Sequence, residues 1–274
     1  MAPDPEELKR ITFYVPLYMG GTAAIADIPK MTSLKVVQSL LAGVEDLEKV
    51  VPRNVVLCNA AGVHDESTSE LAIGLAIATR RGFSQFAANQ REGVWNHSRN
   101  SALTDSKIAI VGYGSIGKNI HRKLGAFDVQ VEIFTRSGRD GTTNIMDFDL
   151  HIGEFDLIIL IMPLNLESHN FMNANRLRKM KDGSSLINIA RGGIVDTEAL
   201  CNELYSGRLS AGLDVTDPEP LPESHRLWGA PNLIITPHVG GDSSAFESRG
   251  RALVESQAAR FADGELLLNI VPRG

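Results

Sequence analysis

The stretch KIAIVGYGSIG, residues 107–117, decides the fold of this chain. A strand-like run enters the pattern Gly-x-Gly-x-x-Gly, and a helical pattern follows at Ile116–Ala126. In this order Gly112 permits a tight turn, Gly114 lets backbone approach a pyrophosphate, and Gly117 allows close packing of helix on strand. The helix N-terminus adds free N–H groups and the positive end of its dipole. A glycine-rich surface turn is the alternative, and the flanking strand and helix argue against it. The predicted dinucleotide contacts in this turn are Gly112, Tyr113, Gly114, Ser115, Ile116 and Gly117.

Short aliphatic runs alternate with amphipathic stretches beyond this turn. This alternation is typical of a parallel sheet that is covered by helices on both faces. The later strands are predicted at Val129–Thr135, Leu157–Met162, Ser185–Ile189, Ser210–Asp214 and Leu233–Thr236. The helices between them are predicted at Asn173–Met180 and Thr197–Ser206, in addition to Ile116–Ala126. The sequence therefore predicts an α/β fold with one doubly wound parallel sheet.

The segment before the turn predicts a second, smaller domain. A chain of 274 residues is near the length at which single cores divide, about 250–300 residues. Strands are predicted at Ile11–Val15, Lys35–Gln38 and Val55–Cys58, followed by a helix at Thr68–Arg81. Residues 90–105, which include Trp95, break the periodicity and predict an arm or linker between the domains.

Composition excludes several classes of function. The chain has 27 Lys and Arg against 33 Asp and Glu, a net charge of −6, and no dense basic cluster, so we expect no nucleic-acid partner. It has no apolar run of about 20 residues, so we expect no membrane segment, and its start lacks a signal-peptide pattern. Cys58 and Cys201 lack metal-binding spacing. We therefore expect a reduced, cytoplasmic protein without a metal site.

The end of the strand at Val129–Thr135 bears on the choice of cofactor. An NAD-binding unit usually places Asp or Glu here to bond the ribose 2′-hydroxyl. This sequence has Thr135, Arg136 and Ser137 instead, whose hydroxyls and guanidinium suit a 2′-phosphate. These three residues are predicted cofactor contacts, and they favour NADP. The alternative is that Arg136 stacks on adenine or stays solvated while NAD binds.

Three later motifs carry a resemblance to a known family. They are MKDGSSLINIARGGIVDTEAL at 180–200, AGLDVTDPEPLP at 211–222 and NLIITPHVGG at 232–241. Together with GYGSIG, in this order, they resemble the D-isomer-specific 2-hydroxyacid dehydrogenases, which include glyoxylate/hydroxypyruvate reductases and phosphoglycerate dehydrogenases. The resemblance implies a homodimeric NAD(P)-dependent oxidoreductase that interconverts small 2-keto acids and D-2-hydroxy acids.

The resemblance also implies three catalytic residues. Arg191 matches the family arginine that binds the substrate carboxylate and polarises the carbonyl, and a surface ion pair is its alternative. His238 matches the acid/base, which suits an imidazole near neutral pH. Glu219 matches the carboxylate that orients this ring and favours its protonated form. Asp217 is the nearest competitor for that position, and a loop carboxylate is the plain alternative.

Further site residues follow from the resemblance. Asp214 matches the position that accepts from the nicotinamide amide, although a helix cap is equally consistent with it. In the smaller domain, the loop LAGV at 41–44 resembles the segment whose main-chain N–H groups bind the substrate carboxylate opposite Arg191. Gly43 would permit close approach, and an ordinary strand-to-helix turn is the alternative. The remaining predicted cofactor contacts are Met162, Pro163, Ser168, Ala190, His238 and Gly240, and the predicted substrate contacts are Ala42, Gly43 and Arg191.

The resemblance predicts how the domains are arranged along the chain. It implies a Rossmann cofactor domain, residues 72–242, inserted into a smaller flavodoxin-like substrate domain formed by residues 1–71 and 243–274. The chain before the LAGV loop is short for such a domain, so we expect a substrate domain shortened at its N-terminal end. An unpaired sheet edge would follow from that.

Two other functions stay open from the sequence. Some relatives with this fold are cofactor-sensing transcriptional corepressors, although the appended tails that would mark them are not seen here. Other family members oxidise formate or phosphite as hydride donors. Turnover of simple keto acids would exclude the first function, and hydride release from formate or phosphite alone would reveal the second.

Overall fold

The computed structural model describes residues 4–273, which divide into two compact units. The smaller unit combines the described residues up to His64 with those from Ser243 onward, and the larger unit is Asp65–Asp242. The strands are β1 Phe13–Tyr14, β2 Val36–Gln38, β3 Val56–Cys58, β4 Lys107–Val111, β5 Gln130–Thr135, β6 Thr143–Asn144, β7 Leu157–Leu160, β8 Ser185–Asn188, β9 Ser210–Leu213 and β10 Leu233–Ile235. The α-helices are α1 Pro5–Arg10, α2 Gly21–Ile25, α3 Glu45–Val50, α4 Asp65–Arg80, α5 Phe83–Arg91, α6 Ser115–Leu124, α7 Phe148–His151, α8 Ala174–Lys179, α9 Thr197–Tyr205 and α10 Phe246–Asp263.

The larger unit contains a seven-stranded sheet within the described residues, in the order β10-β9-β8-β7-β4-β5-β6. Every neighbouring pair is parallel. The strand order reverses between β4 and β7, and this reversal opens a crevice beyond their carboxyl ends where ligands bind in such sheets. The predicted doubly wound, Rossmann-like fold is confirmed.

Both faces of this sheet are buried, as its apolar strands predict. In β4, Ile108 and Ile110 pack into one core with Leu75 of α4 and Ile120 of α6. The alternate residues of β4, Ala109 and Val111, join the core on the opposite face, together with Phe134, Phe148 and Leu200. Because side chains alternate along a strand, a run such as KIAIV is apolar throughout only when helices cover both faces.

The smaller unit contains, in the part of the chain described, a three-stranded parallel sheet in the order β1-β2-β3. Its core includes Leu8, Val37, Leu47 and Leu57. Helix α10 returns to this sheet through Gln257, whose buried amide donates to Gln38 Oε1 at 2.7 Å. The segment after residue 242 therefore folds with the beginning of the chain. That this unit is flavodoxin-like remains a prediction.

Helix α4 differs from the sequence prediction. The sequence placed this helix in the smaller domain and drew the boundary at residue 71, whereas the structure begins the larger unit at Asp65. The reason is packing, because Leu71 contacts the core that contains β4 and β8, and Glu66 forms ion pairs with Arg122 and Lys123 at the end of α6.

Among residues 4–273, no helix has both the length and the apolar character needed to cross a bilayer.

Candidate active site

The glycine turn after β4 lies at the point where the strand order reverses. Gly112 has a φ of +109°, and a Cβ there would lie 2.4 Å from the carbonyl oxygen of Ile161, just beyond β7. A Cβ on Gly117 would lie 2.5 Å from the Gly112 carbonyl oxygen, whereas one on Gly114 would meet no atom within 4 Å. Gly112 and Gly117 are thus required by the packing of the protein itself, and Gly114 leaves open space before the first turn of α6. This cradle fits the pyrophosphate of a dinucleotide.

The other residues of the turn are held by the larger unit. The Tyr113 hydroxyl lies 2.8 Å from His121 Nδ1, and the Ser115 hydroxyl donates to Asp65 at 3.1 Å. Ile116 packs against the core beneath α6. Gly114, the N-cap residue of α6, has no side chain with which to cap it, and the first N–H groups of a helix have no acceptor within it. Backbone donors are therefore presented where the phosphates are predicted to bind.

The end of β5 carries the residues predicted to choose the cofactor. Thr135 Oγ1 accepts from the Gly138 N–H at 3.1 Å and lies 2.8 Å from Thr142 Oγ1, so this hydroxyl is engaged within its own loop. Arg136 and Ser137 are exposed. In the range 4–273, Arg136 forms no ion pair with a carboxylate. The nearby carboxylate of Glu132 accepts instead from the Thr143 hydroxyl at 3.1 Å.

The loop after β7 is built around Ser168. Its hydroxyl donates to the Pro163 carbonyl at 2.7 Å and accepts from the Asn165 N–H at 2.8 Å. Ser168 and Met162 are buried, whereas Pro163 is exposed. The Ser168 side chain therefore closes its own loop, and its predicted contact with the cofactor remains a prediction.

The turn after β8 places Arg191. Buried Asn188, the last residue of β8, accepts from the Ala190 N–H at 3.1 Å and donates to the Arg191 carbonyl at 2.9 Å. The Arg191 guanidinium in turn donates to the Ala190 carbonyl at 2.7 Å. A Cβ on Gly192 would lie 1.9 Å from the Thr216 carbonyl oxygen. Close backbone approach thus explains the glycine that follows Arg191.

His238 and Glu219 form a hydrogen-bonded pair beside Arg191. His238 Nδ1 lies 2.6 Å from Glu219 Oε1, and both side chains are more than a third exposed. The hydrogen bond to Glu219 is the main reason that the pKa of His238 is raised above its ordinary value, while burial and the charge of Arg191 oppose this. The pKa of Glu219 is lowered, chiefly by the same bond. Asp217, the sequence competitor, lies near Gly193 instead.

Asp214 holds the backbone that carries His238. Its side chain is buried, and one carboxylate oxygen accepts from the Thr236 hydroxyl at 2.6 Å and the Val239 N–H at 2.9 Å. The other oxygen accepts from the Gly240 N–H at 2.9 Å. The Asp214 carbonyl accepts from the His238 N–H at 2.7 Å. This support matters because His238 has a φ of +56°, a left-handed conformation that costs free energy outside glycine.

The structure thus brings Arg191, Glu219 and His238 together in the larger unit, next to the carboxyl ends of β8, β9 and β10. Gly240 serves packing, since a Cβ there would lie 2.9 Å from Asp214 Oδ2. Ala42 and Gly43 belong to the smaller unit. Asn188 and Thr236, which orient Arg191 and Asp214, were not predicted from the sequence. Their only signal is their place at a strand end, directly before the predicted turns.

Comparisons with known proteins agree with this fold and identify its family. Residues 73–240 match the model of the "D-isomer specific 2-hydroxyacid dehydrogenase, NAD binding domain" family. A hydroxypyruvate reductase of Thermotoga maritima is 30% identical, over 86% of this chain and 80% of the relative. A solved D-isomer-specific 2-hydroxyacid dehydrogenase family protein of Aeromonas salmonicida is 27% identical, with a TM-score of 0.86 and coverage of 98% and 87%.

The NAD-dependent formate dehydrogenase of Staphylococcus aureus, solved with NAD, is 26% identical, with a TM-score of 0.81 and coverage of 98% and 86%. It shows that relatives of this fold also differ in substrate. These matches establish a nicotinamide cofactor without choosing between its forms. By its fold and its motifs, this chain belongs to the D-isomer-specific 2-hydroxyacid dehydrogenase family and is an NAD(P)-dependent D-2-hydroxyacid dehydrogenase.

Proposed function

We propose that this enzyme prefers NADP and reduces a small 2-keto acid, such as glyoxylate or hydroxypyruvate, to the D-2-hydroxy acid. The observation that carries the proposal is the pair of His238 and Glu219, 2.6 Å apart, under the electrostatic influence of Arg191. Reduction of a keto acid needs a proton donor for the carbonyl oxygen and a cation for the carboxylate. In the larger unit His238 suits the first task and Arg191 suits the second.

Each of these residues has a distinct part in the proposed reaction. Arg191 binds the carboxylate and polarises the carbonyl through charge-assisted hydrogen bonds. His238 donates the proton from Nε2 to the carbonyl oxygen, since Nδ1 is bonded to Glu219. Main-chain N–H groups of Ala42 and Gly43 bind the carboxylate as well. A bound nicotinamide cofactor would supply the hydride, and the turn at 112–117 would hold its pyrophosphate.

The preference for NADP rests on Arg136. Its guanidinium is exposed beyond β5, and among residues 4–273 no carboxylate pairs with it. A free guanidinium is well suited to a phosphate dianion, whereas no Asp or Glu follows Thr135 directly to accept from a ribose 2′-hydroxyl. These observations favour the 2′-phosphate of NADP as its ligand.

We further propose that the enzyme is a cytoplasmic homodimer. Both cysteines are free and buried, in keeping with a reducing compartment such as the cytoplasm. Trp95 is 98% exposed on the segment after α5, as expected if this arm packs in a homodimer.

The test is to titrate the enzyme with NADPH and with NADH, followed by nicotinamide fluorescence, and then to add glyoxylate or hydroxypyruvate. We expect tighter binding of NADPH and its oxidation by the keto acid. Arg136→Ala should weaken NADPH binding by about 10- to 100-fold, the range for a lost bond to a charged group, and leave NADH unchanged. Arg178→Ala, on the exposed surface of α8, is the matched control.

Other outcomes would replace the proposal. If Arg136→Ala weakened the binding of NADPH and of NADH equally, the 2′-phosphate contact would be contradicted, but the proposed reductase activity would not. Reduction of the oxidised cofactor by formate alone would indicate a formate-type dehydrogenase. Tight binding without turnover of any of these acids would favour a sensing role.

A further inference from the structure

The carbonyl groups of residues 40–42 are all held by one neighbouring segment of the smaller unit. The Leu40 carbonyl accepts from His64 Nε2 at 2.7 Å, and the Leu41 carbonyl accepts from the Ala60 N–H at 2.9 Å. The Ala42 carbonyl accepts from Asn59 Nδ2 at 3.1 Å. The three donors lie within residues 59–64. One short segment therefore determines the direction of three consecutive peptide groups.

This arrangement also determines where the N–H groups of the loop point. In a trans peptide the N–H is directed opposite to the carbonyl of the preceding residue. With the carbonyls of residues 41 and 42 turned toward the segment 59–64, the N–H groups of Ala42 and Gly43 are directed away from it. Within residues 4–273 neither N–H has an acceptor. Both N–H groups are thus directed alike and can bind an anion.

His64 is fixed by aromatic stacking. It is 5% exposed, and its ring lies 5.3 Å from Phe246 at an interplanar angle of 12° and 5.8 Å from Tyr18 at 18°. The rings of Tyr18 and Phe246 are themselves 4.0 Å apart. Segments that are distant in sequence therefore hold the imidazole. Because a carbonyl can only accept, His64 Nε2 must carry the proton in its bond to Leu40.

We propose that His64 is a positioning residue for the substrate carboxylate. It fixes the Leu40 peptide, and through the chain it keeps the N–H groups of Ala42 and Gly43 directed alike. The inference rests on the proposed function, in which this loop binds the carboxylate. In this role His64 acts through its directional bond to the Leu40 carbonyl, so another side chain with a donor at the same place should replace it.

The first test compares His64→Leu, which removes the donor, with His64→Gln, whose amide nitrogen reaches the position of Nε2. We expect His64→Leu to raise the KM for glyoxylate about tenfold, as for a lost buried hydrogen bond, with kcat and NADPH affinity within about twofold of wild type. His64→Gln should restore most of the KM. The control is Tyr14→Phe, which removes a bond of 2.7 Å to the Ala24 carbonyl in the same unit.

The positioning role would be overturned if the KM for glyoxylate were unchanged in His64→Leu. It would also be overturned if the KM rose as much in His64→Gln or in Tyr14→Phe as in His64→Leu. The second test needs no turnover and measures hydrogen exchange of the Ala60 N–H, which is bonded to the loop at Leu41. Faster exchange in His64→Leu but not in His64→Gln supports the inference, and equal rates overturn it. If the wild type fails to turn over any keto acid, the proposed function fails instead, and the exchange result decides on His64 separately.

Discussion

Two carboxylates flank His238, and they differ in burial and in what they bind. Asp214 is 2% exposed, and its oxygens accept from Thr236 and from the backbone at Val239 and Gly240. The Glu219 side chain is 40% exposed, and it binds the imidazole of His238 itself. One carboxylate therefore holds the backbone of the histidine, and the other holds its ring.

This difference separates geometry from proton affinity. A buried carboxylate that accepts three bonds from its own chain stabilises one conformation of that chain, and it is costly to disturb. A half-exposed carboxylate contributes little to stability, but its charge and hydrogen bond favour the protonated form of its partner. We therefore expect Asp214 to govern the placement of His238 and Glu219 to govern its pKa.

Removal of His238 should give the largest effect, because both carboxylates serve this residue. His238→Ala should lower kcat by about 10²- to 10⁴-fold, the range for loss of a general acid, while cofactor affinity stays unchanged. The measurement is steady-state reduction of glyoxylate together with NADPH titration. His169→Ala, on an exposed loop, should behave as wild type. Full activity of His238→Ala would remove the basis of the comparison.

The Asp214→Asn variant should come next in effect. The asparagine NH₂ group would replace one acceptor oxygen, so it would face either the Gly240 N–H or the Thr236 hydroxyl and Val239 N–H. A buried N–H then loses its acceptor, which lowers the free energy of unfolding by about 1–3 kcal/mol. Misplacement of His238 should lower kcat by roughly 10- to 100-fold. Denaturant unfolding and kcat measured across pH check both effects. An unchanged unfolding midpoint would contradict the structural role of Asp214.

The sequence predicted the sheet well because each strand is a short apolar run that ends at a recognisable turn. It drew the domain boundary inside α4, at residue 71, because the apolar pattern of a helix does not show which unit covers it, and only the tertiary packing decides. The two-residue strand β6 was missed because so short a segment has no periodicity of its own.

The site shows the same limit. The motifs identified Arg191 and His238, and the offset from Asp214 favoured Glu219 over its nearest competitor, Asp217. The partner of the ring depends on how the loop between two prolines folds, and the hydrogen bond from His238 to Glu219 decides this. The bonds that Asp214 accepts also join residues distant in sequence, and periodicity carries no information about such contacts.

The smallest effect, and the sharpest test of the comparison, is expected from Glu219→Gln. The glutamine oxygen can still accept from Nδ1, so the ring keeps its orientation, but the pKa of His238 should fall toward its ordinary value because the charge is gone. Reduction needs the protonated imidazole, so activity persists below the raised pKa and is lost as pH rises through it. In Glu219→Gln this loss should begin at lower pH. At a pH between the two pKa values the rate should fall up to about tenfold per unit of displacement, and below both it should match wild type. The unfolding midpoint should hardly change, since the pair is exposed. A pH profile like that of the wild type, or a loss of stability like that of Asp214→Asn, would show that the two carboxylates do not divide the work in this way.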